Sequence, residues 1–379
     1  MHIVFRTDSS NIIGHGHVMR CLTLAHALLE QFKVLQKTDT ANDLFISFIC
    51  RDYPANINHL IIEAKFALLQ LSPIKQVIDS NNTIVWLGAT FEQDTQQCIT
   101  QLKTLPTVDL LIVDHYGIDY RWHELMKPKY KKLVVIDDLA NRKLACDYLL
   151  DQTYNRNKEA YQSLVPRHCQ LLLGQDYMLL RNEFHLNKDQ ARRKRQAYVK
   201  KIDKQATSVK VLITMGGTDP DNISQLILHA INELNNTLPD ITVNLVISNQ
   251  SLHLATLKTF CKKHPWVQVI INSKNMAKLM LDADIAIGAS GSTAWERCCL
   301  GLPCLTTINA ENQQLIASNL AQAGAIINLG WHKKVSKKTI AKAIEYLLTH
   351  PKAYEEMTGA CFHICDGRGA NNVARALLS

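Results

Sequence analysis

No stretch of the chain approaches the ~20 consecutive apolar residues that a membrane-spanning helix needs. The first residues also carry no basic segment leading into an apolar run. Neither a membrane partner nor a secretory signal is therefore expected. The 11 cysteines include no C-x-x-C pair. Cys298 with Cys299, and Cys361 with Cys365, are the close neighbours, and they fall short of a complete metal-ligand set. Reduced thiols of a cytoplasmic protein, with no metal site, are the expectation. Widespread positive charge is lacking as well. The formal net charge is +8, but eight Lys/Arg against two Asp lie between Lys188 and Lys204, and the rest of the chain is nearly neutral. A nucleic-acid partner needs a basic face or groove; a charge run this local reads as a solvated helix end or interdomain linker, dispensable for chemistry.

What is present is ordinary globular material: 379 residues, 47% hydrophobic and 20% charged, enough for two cores. Short apolar runs alternate with helix-length amphipathic segments, as in "HIVF" followed by Val18–Phe32, where Leu22, Ala25, Leu28 and Leu29 share a face. "DLFISFI", "DLLIVD", "KLVVID", "DYLLD" and "CQLLLG" continue the pattern. It restarts after the basic segment with "VKVLITMGG", "ITVNLVIS", "VQVIIN", "ADIAIG" and "LPCLTT". Strand–helix alternation predicts parallel sheets built from βαβ units. The expected organisation is an α/β chain of two Rossmann-like, doubly wound domains, 1–186 and 208–379. Residues 187–207 form the linker, and ligands should sit beyond the strand carboxyl ends.

Three loops of the second domain have glycine or hydroxyl chemistry at such ends. "ITMGGTDPDN" places Gly216 and Gly217 between a strand and a helix, with Asn222 near the helix start. It matches neither a P-loop nor the G-x-G-x-x-G fingerprint, but its amides can approach an anion. "IAIGASGSTAWERCCLGLP" brings Ser290, Ser292 and Thr293 to a helix start, with Glu296 one turn in, able to accept from a ribose diol. It fails as a serine-hydrolase elbow, which needs glycine where Ser292 stands. "NAENQQLIASNLAQAGA" offers Asn312 and Gln313 at a third helix start. Together they describe a domain that binds a nucleoside diphosphate.

In the first domain "FRTDSSNIIGHGHVMRC" runs from a strand end carrying Arg6 and Asp8, through Gly14 and Gly16, into a helix. A histidine at a helix N-terminus is placed to accept a proton, because the positive dipole end disfavours an imidazolium. Spacing alone leaves His15 and His17 both open. "LLIVDHYGID" puts Asp114, His115 and Tyr116 after another strand, at the same rim.

These segments, with "LLGQDYMLLRNEF", "MGGTDPDN" and "GSTAWERCCLGLP…ENQ", resemble the UDP-sugar hydrolases of pseudaminic acid biosynthesis, and the likeness spans most of the chain. That family acts on UDP-2,4-diacetamido-2,4,6-trideoxy-β-L-altropyranose and has the two-Rossmann-domain, GT-B-like architecture with an interdomain cleft. The resemblance implies that His17 is the general base, that Tyr116 lies near the reacting sugar, and that Gly16 belongs to the binding loop. It also implies nucleotide contacts from Asn222, Glu296 and Asn312, with Gly216, Gly217, Ser290, Ser292 and Thr293 around the diphosphate. "VISNQSLHL" lacks a glycine that relatives carry after the strand, which affects the uracil side. No cofactor is implied. A glycosyltransferase using the same donor, and a non-catalytic nucleotide-sugar-binding protein, are the alternatives.

Overall fold

Along β1 (His2–Thr7), Ile3 and Phe5 enter one apolar cluster and Val4 another. Such alternation is what a strand covered on both faces requires. The computed structural model describes residues 1–10, 12–35, 43–74, 86–103, 105, 107–203, 208–235 and 240–379. The chain forms two units: residues 1–179 with 368–379, and residues 180–367.

In the first unit β1 is joined by β2 (Phe45–Arg51), β3 (Ala67–Leu71), β4 (Val108–Asp114), β5 (Tyr130–Ile136), β6 (Tyr148–Asp151) and β7 (Gln170–Leu173). Their order is β3-β2-β1-β4-β5-β6-β7, with every pair parallel. One face of this sheet is covered by the helix Gly16–Leu35 and by the C-terminal helix Gly369–Leu378, whose Val373, Ala374 and Leu377 share its core. Trp122, Met126 and Leu144 lie in the core of the other face.

The second unit repeats the plan with β8 (Val209–Thr214), β9 (Ile241–Ile247), β10 (Val267–Ile271), β11 (Ile285–Ala289), β12 (Cys304–Ile308) and β13 (Ile326–Trp331). They lie in the parallel order β10-β9-β8-β11-β12-β13. Both units are Rossmann-like. In each the strand order reverses beside the first strand, between β1 and β4 and between β8 and β11. The crevice at such a switch point is where doubly wound sheets bind ligands.

The basic segment departs from expectation. Residues 182–203 are one helix of the second unit; residues 204–207 lie outside the described residues. Arg195 is fully buried and donates to the carbonyl oxygens of Leu300 (3.3 Å), Met280 (2.8 Å) and Ala283. Lys194 Nζ donates to Leu281 O at 2.9 Å and to Asp282 O. Two cations thus satisfy the open carbonyl end of the helix Met276–Asp282. A helix end that lacks partners attracts charge, and that is why one face of this run is packed while Arg192, Arg193, Lys200 and Lys201 stay exposed.

Candidate active site

The first switch point is built on ion pairs. Asp8, directly after β1, meets Arg6 Nη1 at 2.7 Å and His115 Nε2 at 3.2 Å, and accepts from Arg51 N at 2.6 Å. Arg6 and Arg51 share Asp94, which also accepts from Trp122 Nε1 at 2.9 Å. Burial alone would raise Asp8 and Asp94. Their arginine partners outweigh it and hold both carboxyls below the usual range. This buried network fixes the floor under the loop.

The loop then turns tightly. Ser10 Oγ accepts from Ile12 N (3.2 Å) and Ile13 N (3.0 Å), and Gly14 N donates to Ser10 O at 2.8 Å. Gly14 takes φ +80°, where a side chain is disfavoured. The helix opens at Gly16, so His17 falls in its first turn and is buried. His17 Nδ1 lies 2.6 Å from Asp114 Oδ1 at the end of β4. An ionised carboxylate only accepts, so Nδ1 carries a proton, and in the neutral ring Nε2 is then the acceptor. Asp114 is held in turn by Arg20, through Nε to Oδ2 and Nη2 to Oδ1, both at 2.6 Å. Burial would raise Asp114; Arg20 and His17 keep it well below the ordinary value.

Tyr116 completes the group. Its ring meets that of His17 edge to face with centroids 4.5 Å apart, and its hydroxyl donates to Asp138 Oδ1 at 2.5 Å. Arg20 Nη1 reaches Asp138 Oδ2 at 3.0 Å. The loop's other histidine is turned elsewhere: His15 is half-buried near the Ala55 backbone and His59. The structure brings His17, Asp114 and Tyr116 together and leaves His15 apart. Arg20 and Asp138 were missed in the sequence. Arg20 is three residues from His17 and so shares its helix face, and Asp138 follows β5 at the same rim.

The second switch point uses backbone and hydroxyls. Gly216 has φ +94° with open space where a side chain would stand, and Gly217 O accepts from Ser248 N at 2.7 Å, after β9. Asp219 caps the helix Ile223–Leu234, accepting from Ile223 N (3.0 Å) and Ser224 N (2.9 Å). Asn222 adopts φ 52°; its Nδ2 donates to Gln225 and its Oδ1 is buried without a partner. On the next loop Ser290 is buried with an unpartnered Oγ, Ser292 is exposed, and Thr293 Oγ1 accepts from Arg297 Nη1 at 3.1 Å. Asn312 is exposed on a 3₁₀ turn after β12. Because β8, β11 and β12 are neighbours, these loops rise from adjacent strand ends.

Arg297 was not foreseen. Its buried guanidinium donates to Ala289 O at 2.7 Å and lies under Gly288, where a Cβ would approach Nη1 to 2.7 Å and Thr214 O to 2.8 Å. The glycine of "AIGAS" is thus a close-approach position. Asp-x-Asp tripeptides occur at 219–221 and 282–284, but Asp219 is engaged as a cap. Asp284 accepts from Lys210 N at 2.8 Å. Among the described residues no three His, Cys, Asp or Glu side chains gather as a metal would require, and no helix is long and apolar enough to cross a membrane.

Residues 210–367 match the glycosyltransferase family 28 C-terminal domain. The fold is similar to that of a MurG from Acinetobacter baumannii (TM-score 0.63, 14% identity, covering 100% of this chain and 99% of the other). It is also similar to a UDP-GlcNAc 2-epimerase from Neisseria meningitidis bound to UDP-GlcNAc (TM-score 0.60, 14% identity, 100% of both chains). In sequence, the chain resembles the UDP-2,4-diacetamido-2,4,6-trideoxy-β-L-altropyranose hydrolase of Campylobacter jejuni, at 27% identity over 86% of this chain and 97% of that protein.

Proposed function

We propose that the chain is a nucleotide-sugar hydrolase that converts UDP-2,4-diacetamido-2,4,6-trideoxy-β-L-altropyranose to free sugar and UDP. The observation that carries this is the His17–Asp114 contact at 2.6 Å, which makes Nε2 the proton acceptor of the neutral ring at the strand-end rim. Water held by Nε2 attacks the anomeric carbon and gives up its proton to the imidazole. The bond from that carbon to the diphosphate oxygen breaks, and its electron pair leaves with UDP. The configuration inverts. Asp114 orients the ring and stabilises the imidazolium formed in the step. A nucleoside diphosphate leaves as a stabilised anion, so one base and well-placed donors suffice where many inverting glycosidases also need an acid. In this scheme the second unit supplies those donors from the amides around Gly216 and Gly217 and from Ser290, Ser292 and Thr293, with Gly16 in the binding loop of the first unit. Glu296 takes the ribose, Asn222 and Asn312 contact the nucleotide, and Tyr116 faces the sugar. The reaction as written uses no cofactor.

A glycosyltransferase is the second reading, favoured by the family 28 match over 210–367; His17 would then deprotonate an acceptor hydroxyl. Purified protein incubated with the UDP-sugar alone separates the two. Hydrolysis predicts stoichiometric release of UDP with no acceptor present, and in H₂¹⁸O the label enters the sugar. Turnover only with an acceptor, or ¹⁸O in the diphosphate, overturns the hydrolase.

A further inference from the structure

Glu296 is an acidic side chain of the second unit's proposed nucleotide loops. It lies in the helix Thr293–Cys299, mostly buried, with Oε2 enclosed and without a partner. Its Oε1 faces Arg181 Nη2 at 3.5 Å. Arg181 belongs to a different element, immediately before the helix Asn182–Asp203. Its guanidinium is itself held in place: Nη1 pairs with Glu183 Oε1 at 2.8 Å, and the group lies over the Phe184 ring at 5.2 Å. Arg181 is partly open to solvent, whereas Phe184 beneath it is fully buried.

We infer that Arg181 is a positioning residue for nucleotide binding, holding the Glu296 carboxylate ionised and oriented with Oε2 free for the ribose hydroxyls. This rests on the assignment of Glu296 to the ribose made above. An ionised carboxylate accepts on both oxygens, whereas a protonated one must donate from one of them, and a diol offers two donors. Burial pushes the Glu296 carboxyl up from its ordinary value, Arg181 and then Arg297 oppose that rise, and Glu183 adds to it. The Cys299 thiol is the further titratable group near it on the same helix. Removing the guanidinium therefore favours the proton, and with it the wrong hydrogen-bonding pattern.

The test is calorimetric titration with UDP-glucose over a pH series running down from about 8.5 for as long as the protein stays folded, in which the diphosphate diester does not titrate. Wild-type affinity should weaken toward acid. Arg181→Gln should move the midpoint of that fall to higher pH and weaken binding about tenfold at pH about 7.5, the size of one charged hydrogen bond. Arg181→Lys should restore most of both. Glu183→Gln, at a half-exposed carboxylate, should move the midpoint the other way, and it keeps the test decisive if Arg181→Gln does not fold. Wild-type affinity and midpoint in all three variants overturn the role of Arg181, while Glu296→Gln still weakens binding. Unchanged binding in Glu296→Gln overturns the ribose assignment and this inference with it. Absence of UDP-glucose binding by the wild type removes both, together with the nucleotide reading of the second unit.

Discussion

The two units share a strand order but hold their switch points with opposite chemistry. In the first, Arg6, Arg20 and Arg51 grip Asp8, Asp94 and Asp114, and those carboxyls lie below their ordinary values. In the second, Glu296 is raised by burial, and the loops present amides, hydroxyls and glycine. A paired charge suits a site that must aim a proton acceptor, because each ion pair fixes one orientation. Neutral donors suit an anion, which they can solvate without a competing counterion. On the proposed function one topology thus serves two tasks, and the side chains at the strand ends decide which.

The largest expected effect breaks the comparison at its functional point. His17→Asn should lower kcat by about 10²–10⁴-fold, the worth of a general base, while UDP affinity measured by calorimetry stays near wild type. A comparable loss of UDP affinity would mean that the first unit binds the nucleotide, and the division of labour would fail.

Next comes the helix once expected to be a linker. Arg195→Gln should cost about 3 kcal/mol in denaturant unfolding, since it strips donors from buried carbonyls. Arg193→Gln, on the exposed side, should change stability by less than about 0.5 kcal/mol. Equal effects would return the segment to a solvated role.

The contrast in carboxyl chemistry has a pH signature. Asp8, Asp94 and Asp114 lie below 3.8 when folded, so their contribution is complete above that value and is lost as pH falls beneath it. Asp284 and Glu296 lie above their ordinary 3.8 and 4.5. Folded protein then binds their protons first, and the second unit gains stability as pH falls toward those values. Asp151 in the first unit is also raised by burial and acts against the difference. Hydrogen exchange resolved by peptide should show the second unit becoming better protected from pH about 7 to about 5, and the first unit opening first below about 3.5. Parallel behaviour would erase the distinction.

Glu296→Ala should weaken UDP binding by about 1.5–3 kcal/mol with kcat on saturating substrate less affected. No change would leave the second unit with hydroxyls and amides alone.

Much of this architecture was legible in the sequence, and the exceptions have physical causes. The named runs became strands, "DYLLD" and "CQLLLG" included although neither has a β-branched residue, whereas β3 reads "ALLQL", interrupted by a glutamine, and β13 carries Asn328 and Gly330, which strands disfavour. Both lie at sheet edges, where apolar patterning is weakest. The buried face of the basic helix was present as Ala191, Arg195, Tyr198 and Ile202, spaced by four, three and four, but an arginine in the stripe hid it. The Gly14–His17 turn and the polar cluster after β4 were visible as positions. Their pairing was not, because Asp114 becomes the partner of His17 only when β4 lies beside β1.

The smallest expected effect is the sharpest control. His15 and His17 share one turn, one sequence signature and one side-chain chemistry. They differ in what the fold places against them: Asp114 for His17, and the Ala55 backbone with His59 for His15. Burial, reinforced by His59, keeps the His15 imidazole below its ordinary value, and no carboxylate orients it. His15→Asn should therefore leave kcat within a few fold, about 1 kcal/mol or less in barrier, and change stability little at a half-buried site. Steady-state kinetics of the two asparagine variants side by side give the measurement. If they lose activity alike, the loop acts through its backbone, Asp114 does not select the base, and the contrast between a proton-handling unit and an anion-binding unit collapses into two phosphate turns.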